Sequence, residues 1–278
     1  MKKCCIKKRS IMKWNRVLGC LAAGAMLWAC SGGESKDIVG GASGDSGIIA
    51  LKDKNIAGVA QKGPFVKGSS VVLKETSKAG NLKPTGKEFF ATTRSDDGDF
   101  QIEGLNLESQ YVRLTATGYY KREKTGQNSR CQISLNALAD ISEIDHVNIN
   151  ILTHLEYDRT LELVKEGNSF DEAKKQAHRE LMRVFNFEYL VDEGKSESLD
   201  VTGDGEADRA LEKISSFIDD HTDFYADDCS GHDKCASLDY CMRIQEFLDT
   251  FFEILDGKGP DLTVLLLPMD MNHEFGRN

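Results

Sequence analysis

Val147-Asn148-Ile149-Asn150-Ile151-Leu152-Thr153-His154-Leu155-Glu156 is the stretch where the chain changes period. Val147–Ile151 alternates apolar and polar residues, as a half-buried strand does. Beyond Thr153 the apolar residues recur at helical spacing. A helix is expected from Leu155 to Glu166, with Thr153 as N-cap and Gly167 past its end. The stretch thus divides a β half from a helical half. The fold class this predicts is α+β, an N-terminal antiparallel β-sandwich followed by a C-terminal helical bundle.

Working back from the junction, short runs rich in Val, Ile, Phe and Tyr predict strands at 56–61, 70–75, 89–93, 100–103, 111–117 and 131–136, ahead of 147–151. Between them stand Gly63-Pro64, Gly68-Ser69, Lys83-Pro84-Thr85-Gly86 and Asp96-Asp97-Gly98-Asp99, which read as turns. Working forward, Ser169 and Glu172 form a capping box opening a helix to about Phe185, with Phe170, Ala173, Ala177, Leu181 and Val184 on one face. Further helices are expected over about 207–220 and 238–255. The last is capped by Ser237, ended by Gly257, and aligns Cys241, Ile244, Leu248, Phe251 and Leu255. Residues 262–267 are apolar and fit strand or helix.

The N-terminus reads as an address. Residues 1–16 are basic, and Val17–Ala29 is an uncharged run of apolar and small residues, too short to span a bilayer. It ends in Leu27-Trp28-Ala29-Cys30, which resembles the lipobox of bacterial lipoproteins. That resemblance implies cleavage before Cys30, lipidation of its thiol and acylation of the new amine. Acyl chains such as palmitate would then hold the protein to the membrane. Val17-Leu18-Gly19-Cys20 also fits a lipobox but has no apolar core ahead of it, and Met12 would make a tidier start than Met1. Gly and Ser dominate from Ser31 to Gly47, a tether reaching on the order of 20–25 Å. Ser31 is not Asp, so the inner-membrane retention signal of some bacterial lipoproteins is absent, and the cell outer membrane is the expected location. The organisation expected is signal peptide 1–29, tether 30–54, sandwich 55–152 and helical domain 153–278.

Within the β half, Thr93 through Ile102, Leu105, Tyr111-Val112-Arg113-Leu114 and Gly118-Tyr119 resemble the carboxypeptidase-regulatory-like (transthyretin-like) sandwich, with one extra residue between Thr93 and Asp97-Gly98. The resemblance implies a tight Asp-Gly hairpin, Phe100 and Ile102 pointing inward, and a non-enzymatic accessory module. More broadly, Gly58 to Val71, Gly118-Tyr119-Tyr120, Asn148 to Glu156 and Ala173 to Ala177 look like a family of uncharacterised bacterial envelope lipoproteins. That likeness implies no activity and no functional residues.

Of 278 residues, 35 are Lys or Arg and 45 are Asp or Glu, for a net charge of −10. Seven positives and no acid lie in the first 29 residues, so cleavage leaves 28 against 45, or −17. Phosphate binding needs clustered cations, so nucleic acid is not an expected partner. The expected partners are the membrane, through the lipid, and an envelope protein or a glycan.

Four cysteines remain after lipidation: Cys131, Cys229, Cys235 and Cys241. An even number in an oxidising compartment reads as disulfides. One arrangement staples Cys229 to Cys235 and ties Cys131 to Cys241. A zinc set of Cys229, His232, Cys235 and Cys241 is the rival, but its spacing is not that of common zinc modules. Asp200, Thr202, Asp204 and Asp208, with Gly205, resemble a Ca²⁺ loop. Thr202 replaces an acid or amide there, and Leu211 stands where a bidentate acid belongs. The alternative is an acidic turn favouring the N-terminus of the next helix. His154 and Asp158 lie four apart on a predicted helix and could pair, against a surface or helix-start role for His154. No nucleophile elbow, phosphate loop, dinucleotide fingerprint or catalytic constellation is found. The expected ectodomain is therefore a binding or assembly module. A hydrolase with its site in the helical half, or a plain spacer, is the alternative.

Overall fold

The computed structural model describes residues 47–77 and 81–227, and the helical residues 244, 245, 247–249 and 251. The described residues form seven strands: β1 (Leu51–Gln61), β2 (Ser70–Ser77), β3 (Lys83–Thr92), β4 (Asp99–Leu107), β5 (Tyr111–Gly118), β6 (Ile133–Asp140) and β7 (Ile149–Asn150). They form a three-stranded sheet, β4-β1-β7, and a four-stranded sheet, β3-β2-β5-β6. Alternation places Val71, Leu73, Val112, Leu114, Phe100 and Ile102 inward, all buried. The helices α1 (Ile151–Lys165), α2 (Phe170–Val184) and α3 (Glu206–Asp227) follow. The molecule is a mixed α+β fold.

Three details depart from the sequence reading. β7 pairs with β1 in parallel, Ala60 opposite Ile149 and Gln61 opposite Asn150, so pairing is not wholly antiparallel. β4 already occupies the other edge of β1, and the segment entering β7 docks on the open edge. Val147 N donates to Ala57 O at 2.8 Å, and a Cβ on Gly58 would lie 1.9 Å from Val147 O. Glycine is required where the two backbones pass that closely. The Asp97-Gly98 turn does not close a β3–β4 hairpin, because β3 pairs with β2 and β4 with β1. It carries the chain between sheets, closed by Arg94 N donating to Asp99 O at 2.8 Å. Gly98 has φ +82°, and a Cβ there would meet Ala60 O at 2.4 Å. Lys83-Pro84-Thr85-Gly86, expected as a turn, belongs to β3, with Pro84 opposite Thr76. β3 is an edge strand, where a missing N–H is tolerated. β1 also opens inside the stretch read as tether.

One hydrophobic core runs through both halves. It joins Ile56, Phe100, Leu114 and Leu135 of the sheets to Leu152 and Leu155 of α1, Leu181 of α2 and Leu211, Ile214 and Ile218 of α3. Ile244, Leu248 and Phe251 are buried in the same core, and Phe251 stacks on Phe185 at 5.8 Å between ring centroids. α2 follows its expected capping box, with Ser169 as N-cap and Glu172 returning the bond. α1 does not begin at Thr153. Its N-cap is Asn150, whose side chain accepts from Thr153 N, while Thr153 Oγ1 accepts from Asn150 N. Thr153 is thus the far partner of a capping box. α3 begins at Glu206 and runs past the expected end. Ser237, Gly257 and residues 262–267 lie outside the described residues.

Candidate functional site

Asn148, just before β7, and Asn150, its last residue, also fix a distant loop. Asn148 N donates to Glu197 O at 2.8 Å and its amide to Leu199 O at 3.0 Å. The Asn150 amide donates to Ser196 O at 2.8 Å. These bonds hold Ser196 and Glu197 beside the start of α1 and against Lys174 and His178 of α2. Between α2 and the loop 188–197 lies a cleft of about 680 Å³.

The floor of this cleft is a buried ionic cluster. Glu156 comes from α1, Lys174 and His178 from consecutive turns of α2, and Ser196 and Glu197 from the pinned loop. Lys174 Nζ lies 3.0 Å from both Glu156 Oε2 and Glu197 Oε2. Glu156 Oε1 lies 2.7 Å from His178 Nδ1 and accepts from Ser196 Oγ. Burial pushes the Glu156 carboxyl up, but Lys174, then His178 and Ser196, outweigh it and hold the group below its ordinary value. For Lys174 burial pushes down, and Glu156 with Glu197 hold the ammonium well above the usual lysine range. Both stay charged because each answers the other.

His178 carries an atom that this charge pairing leaves out. Its Nδ1 faces Glu156 and Ser196, and its buried Nε2 has no hydrogen-bond partner. Hydroxyl, imidazole and carboxylate meet here, as a nucleophilic triad requires. Ser196 Oγ, however, sits 3.0 Å from the same nitrogen that faces Glu156. In a working triad the acid takes one ring nitrogen and the nucleophile the other. Ser196 is therefore placed as a prop for Glu156 and not as an activated nucleophile.

A second buried ionic cluster is closed. Lys62 Nζ lies 2.9 Å from Asp219 Oδ1, 3.3 Å from Glu123 Oε2 and 3.0 Å from Ser215 O. Its three N–H groups therefore have three partners, and the Tyr120 ring lies 5.3 Å away. Ser215 Oγ donates back to Lys62 O at 2.6 Å, and Arg122 reaches Asp219 at 3.3 Å. Burial pushes the Glu123 carboxyl up, only partly opposed by Lys62. This cluster bonds the end of β1 to α3.

Asp200, Thr202 and Asp204 lie in the loop before α3, and Asp208 in the first turn of that helix. Asp200 Oδ1 accepts from Gln61 Nε2 at 2.8 Å and from Thr202 N and Oγ1 at 2.8 and 2.7 Å. Asp208 accepts from Asp200 N at 2.9 Å and Gly205 N at 3.2 Å. Their oxygens thus fold the loop back on itself and cap the start of α3. Among the described residues no group of three or more His, Cys, Asp or Glu is placed to hold a metal. His154 does not pair with Asp158. It is buried, its Nδ1 accepting from Asn136 N at 3.0 Å and its Nε2 lying 3.5 Å from Asp249. Cys131 precedes β6, accepts through its carbonyl from Ser129 Oγ, and carries no free thiol. Cys30, Cys229, Cys235 and Cys241 lie outside the described residues.

Sequence reasoning missed the cleft. The signal available was Lys174 and His178, each directly following a core alanine, Ala173 and Ala177, on the shoulder of the apolar stripe of α2. No family model, curated protein or solved structure matches this chain.

Proposed function

We propose that this protein is a lipid-anchored envelope lipoprotein whose folded body is a non-catalytic binding or assembly module. In this reading Cys30 carries the lipid, the Gly/Ser-rich segment is the tether, and the body is a β-sandwich followed by a helical bundle at the outer membrane. Leu27-Trp28-Ala29-Cys30 at the end of a short apolar run supports the anchor. The observation that carries the binding role is the polar cleft over Glu156, Lys174 and His178. Its hydroxyl and imidazole do not form a nucleophilic pair, which favours binding over hydrolysis. Among the described residues no helix is long and apolar enough to cross a membrane.

Metabolic labelling with a palmitate analogue tests the anchor. Label is expected in the wild-type chain and lost in Cys30→Ala. Label retained in that variant overturns it. Protease added to intact cells, with a periplasmic control protein, then separates a surface body from a periplasmic one.

The same reading pairs Cys131 with Cys241 and Cys229 with Cys235. Supporting the first is Gln245, four residues after Cys241, whose side chain accepts from Ser134 N at 2.7 Å and donates to Ser134 O at 3.1 Å. Ser134 in turn follows Cys131 by three residues. Non-reducing peptide mapping is expected to recover the 131–241 crosslink. Free thiols, or a crosslink from Cys131 to another cysteine, would overturn it.

A further inference from the structure

We infer that the cleft between α2 and the loop 188–197 binds an acidic saccharide, a ligand carrying both hydroxyl groups and a carboxylate. This rests on the binding role proposed above and names its ligand class. The first argument is His178, which lines the cleft and whose Nε2 is buried and without a hydrogen-bond partner. A neutral ring with its proton on Nδ1 toward Glu156 presents Nε2 as an acceptor, and an imidazolium presents it as a donor. A hydroxyl group pairs with either form. Leaving a buried polar atom unpaired is unfavourable, and a ligand hydroxyl would relieve that penalty.

The second argument is the cation next to it. Lys175, Arg179 and Arg183 follow one another at intervals of four, one row along the flank of α2 lining the cleft. Lys175 is held by Asp171 at 2.7 Å and Arg183 by Glu188 at 2.6 Å. Among the described residues Arg179 has no carboxylate within ion-pair distance. Its planar guanidinium suits a carboxylate bound through two parallel hydrogen bonds. One residue apart on α2, Arg179 and His178 offer adjacent points for an acid and a hydroxyl.

The third argument is the lining as a whole. Five cationic and five acidic side chains line the cleft, and Val191 is its apolar side chain. Such a wall suits a ligand with many hydroxyls and rejects an acyl chain. A cleft of about 680 Å³ falls within the range of small-ligand sites and holds a disaccharide.

The test is isothermal titration of the full chain, purified in detergent, with digalacturonate, and with maltose as a neutral probe. Saturable digalacturonate binding is expected, with maltose bound at least about tenfold more weakly. Arg179→Ala and His178→Asn should each weaken digalacturonate binding about tenfold, the loss of one hydrogen bond to a charged or buried group. Asparagine can keep the contact of Nδ1 with Glu156 but does not reach the place of Nε2. Circular dichroism is the check that both variants fold; Arg179 is exposed, so its loss should leave the fold intact. Three results would overturn the proposal: no saturation by about 10 mM digalacturonate, equal binding of maltose, or binding unchanged in both variants. Each is independent of palmitate labelling at Cys30, so the ligand and the anchor stand or fall separately.

Discussion

The two buried ionic clusters are built from the same parts and end in different states. Around Lys62 every donor of the ammonium is used, and the cluster bonds β1 to α3 beneath Tyr120. Around Lys174 the charges are equally well matched, yet one ring nitrogen of the neighbouring His178 is unpaired beside a cleft. A buried charge alone does not mark a functional site, because structural ion pairs perturb pKa values as well. What separates the two clusters is the unpaired polar atom together with adjoining space.

The largest effect expected from this comparison is at the closed cluster. Lys62→Met takes the cation from Glu123 and leaves Asp219 with Arg122, and should cost about 3–5 kcal/mol in chemical denaturation. Lys174→Met should cost less, since water entering the cleft can solvate Glu156 and Glu197. Equal losses would erase the distinction between sealed and open.

Next is Glu156→Gln, expected to cost about 1.5–3 kcal/mol near neutral pH. The folded Glu156 carboxyl lies below its ordinary value of 4.5. Its stabilisation is therefore fully present above about that pH and lost as pH falls through the lower folded value. Lys174 lies above its ordinary 10.5, so its contribution is present below that pH and lost as pH rises further. Glu123 has the opposite sign to Glu156. Its raised carboxyl loses stability as pH rises from 4.5 toward the folded value. Stability measured from pH 2 to 7 should show a shallower acid limb in Glu156→Gln than in the wild type. An unchanged limb would mean that Glu156 is not held charged by Lys174.

A smaller effect tests how the fold positions the cleft. Asn150→Ala removes both the N-cap of α1 and the amide that holds Ser196 O, and should cost about 1–2 kcal/mol. Because the loop carrying Ser196 and Glu197 is released, digalacturonate binding should weaken in the same variant. A stability loss with unchanged binding would uncouple the cap from the site.

The smallest effect is at Arg179. Its replacement by alanine should change stability by less than about 0.5 kcal/mol, as for most exposed positions, while still weakening digalacturonate binding.

The sequence was legible where the pattern was local. The positions of the seven strands, the inward Phe100 and Ile102 and the Ser169–Glu172 capping box follow from neighbours a few residues apart. Partner choice between strands is not a local property, so the parallel β1–β7 pairing and the split of β3 and β4 between sheets were invisible. α1 was misjudged at its start because it buries polar residues, Thr153, His154, Glu156 and Thr160, alongside Ile151 and Leu155. Hydropathy reads those polar positions as exposed. The cleft failed to appear for a related reason. Glu156, His178 and Ser196 lie far apart in sequence, and nothing local says that Asn148 and Asn150 will draw Ser196 onto the other two. Lys62, beside Gly63-Pro64, reads as a turn lysine in water and is instead fully buried.

The binding role turns on His178, held at Nδ1 and unpaired at Nε2. Its most direct test is ¹⁵N NMR of histidine-labelled protein, read with and without digalacturonate. The His178 Nε2 resonance is expected to move on titration while Nδ1 keeps the signature of its bond to Glu156. An Nε2 resonance that stays fixed while the ligand saturates the protein would contradict it.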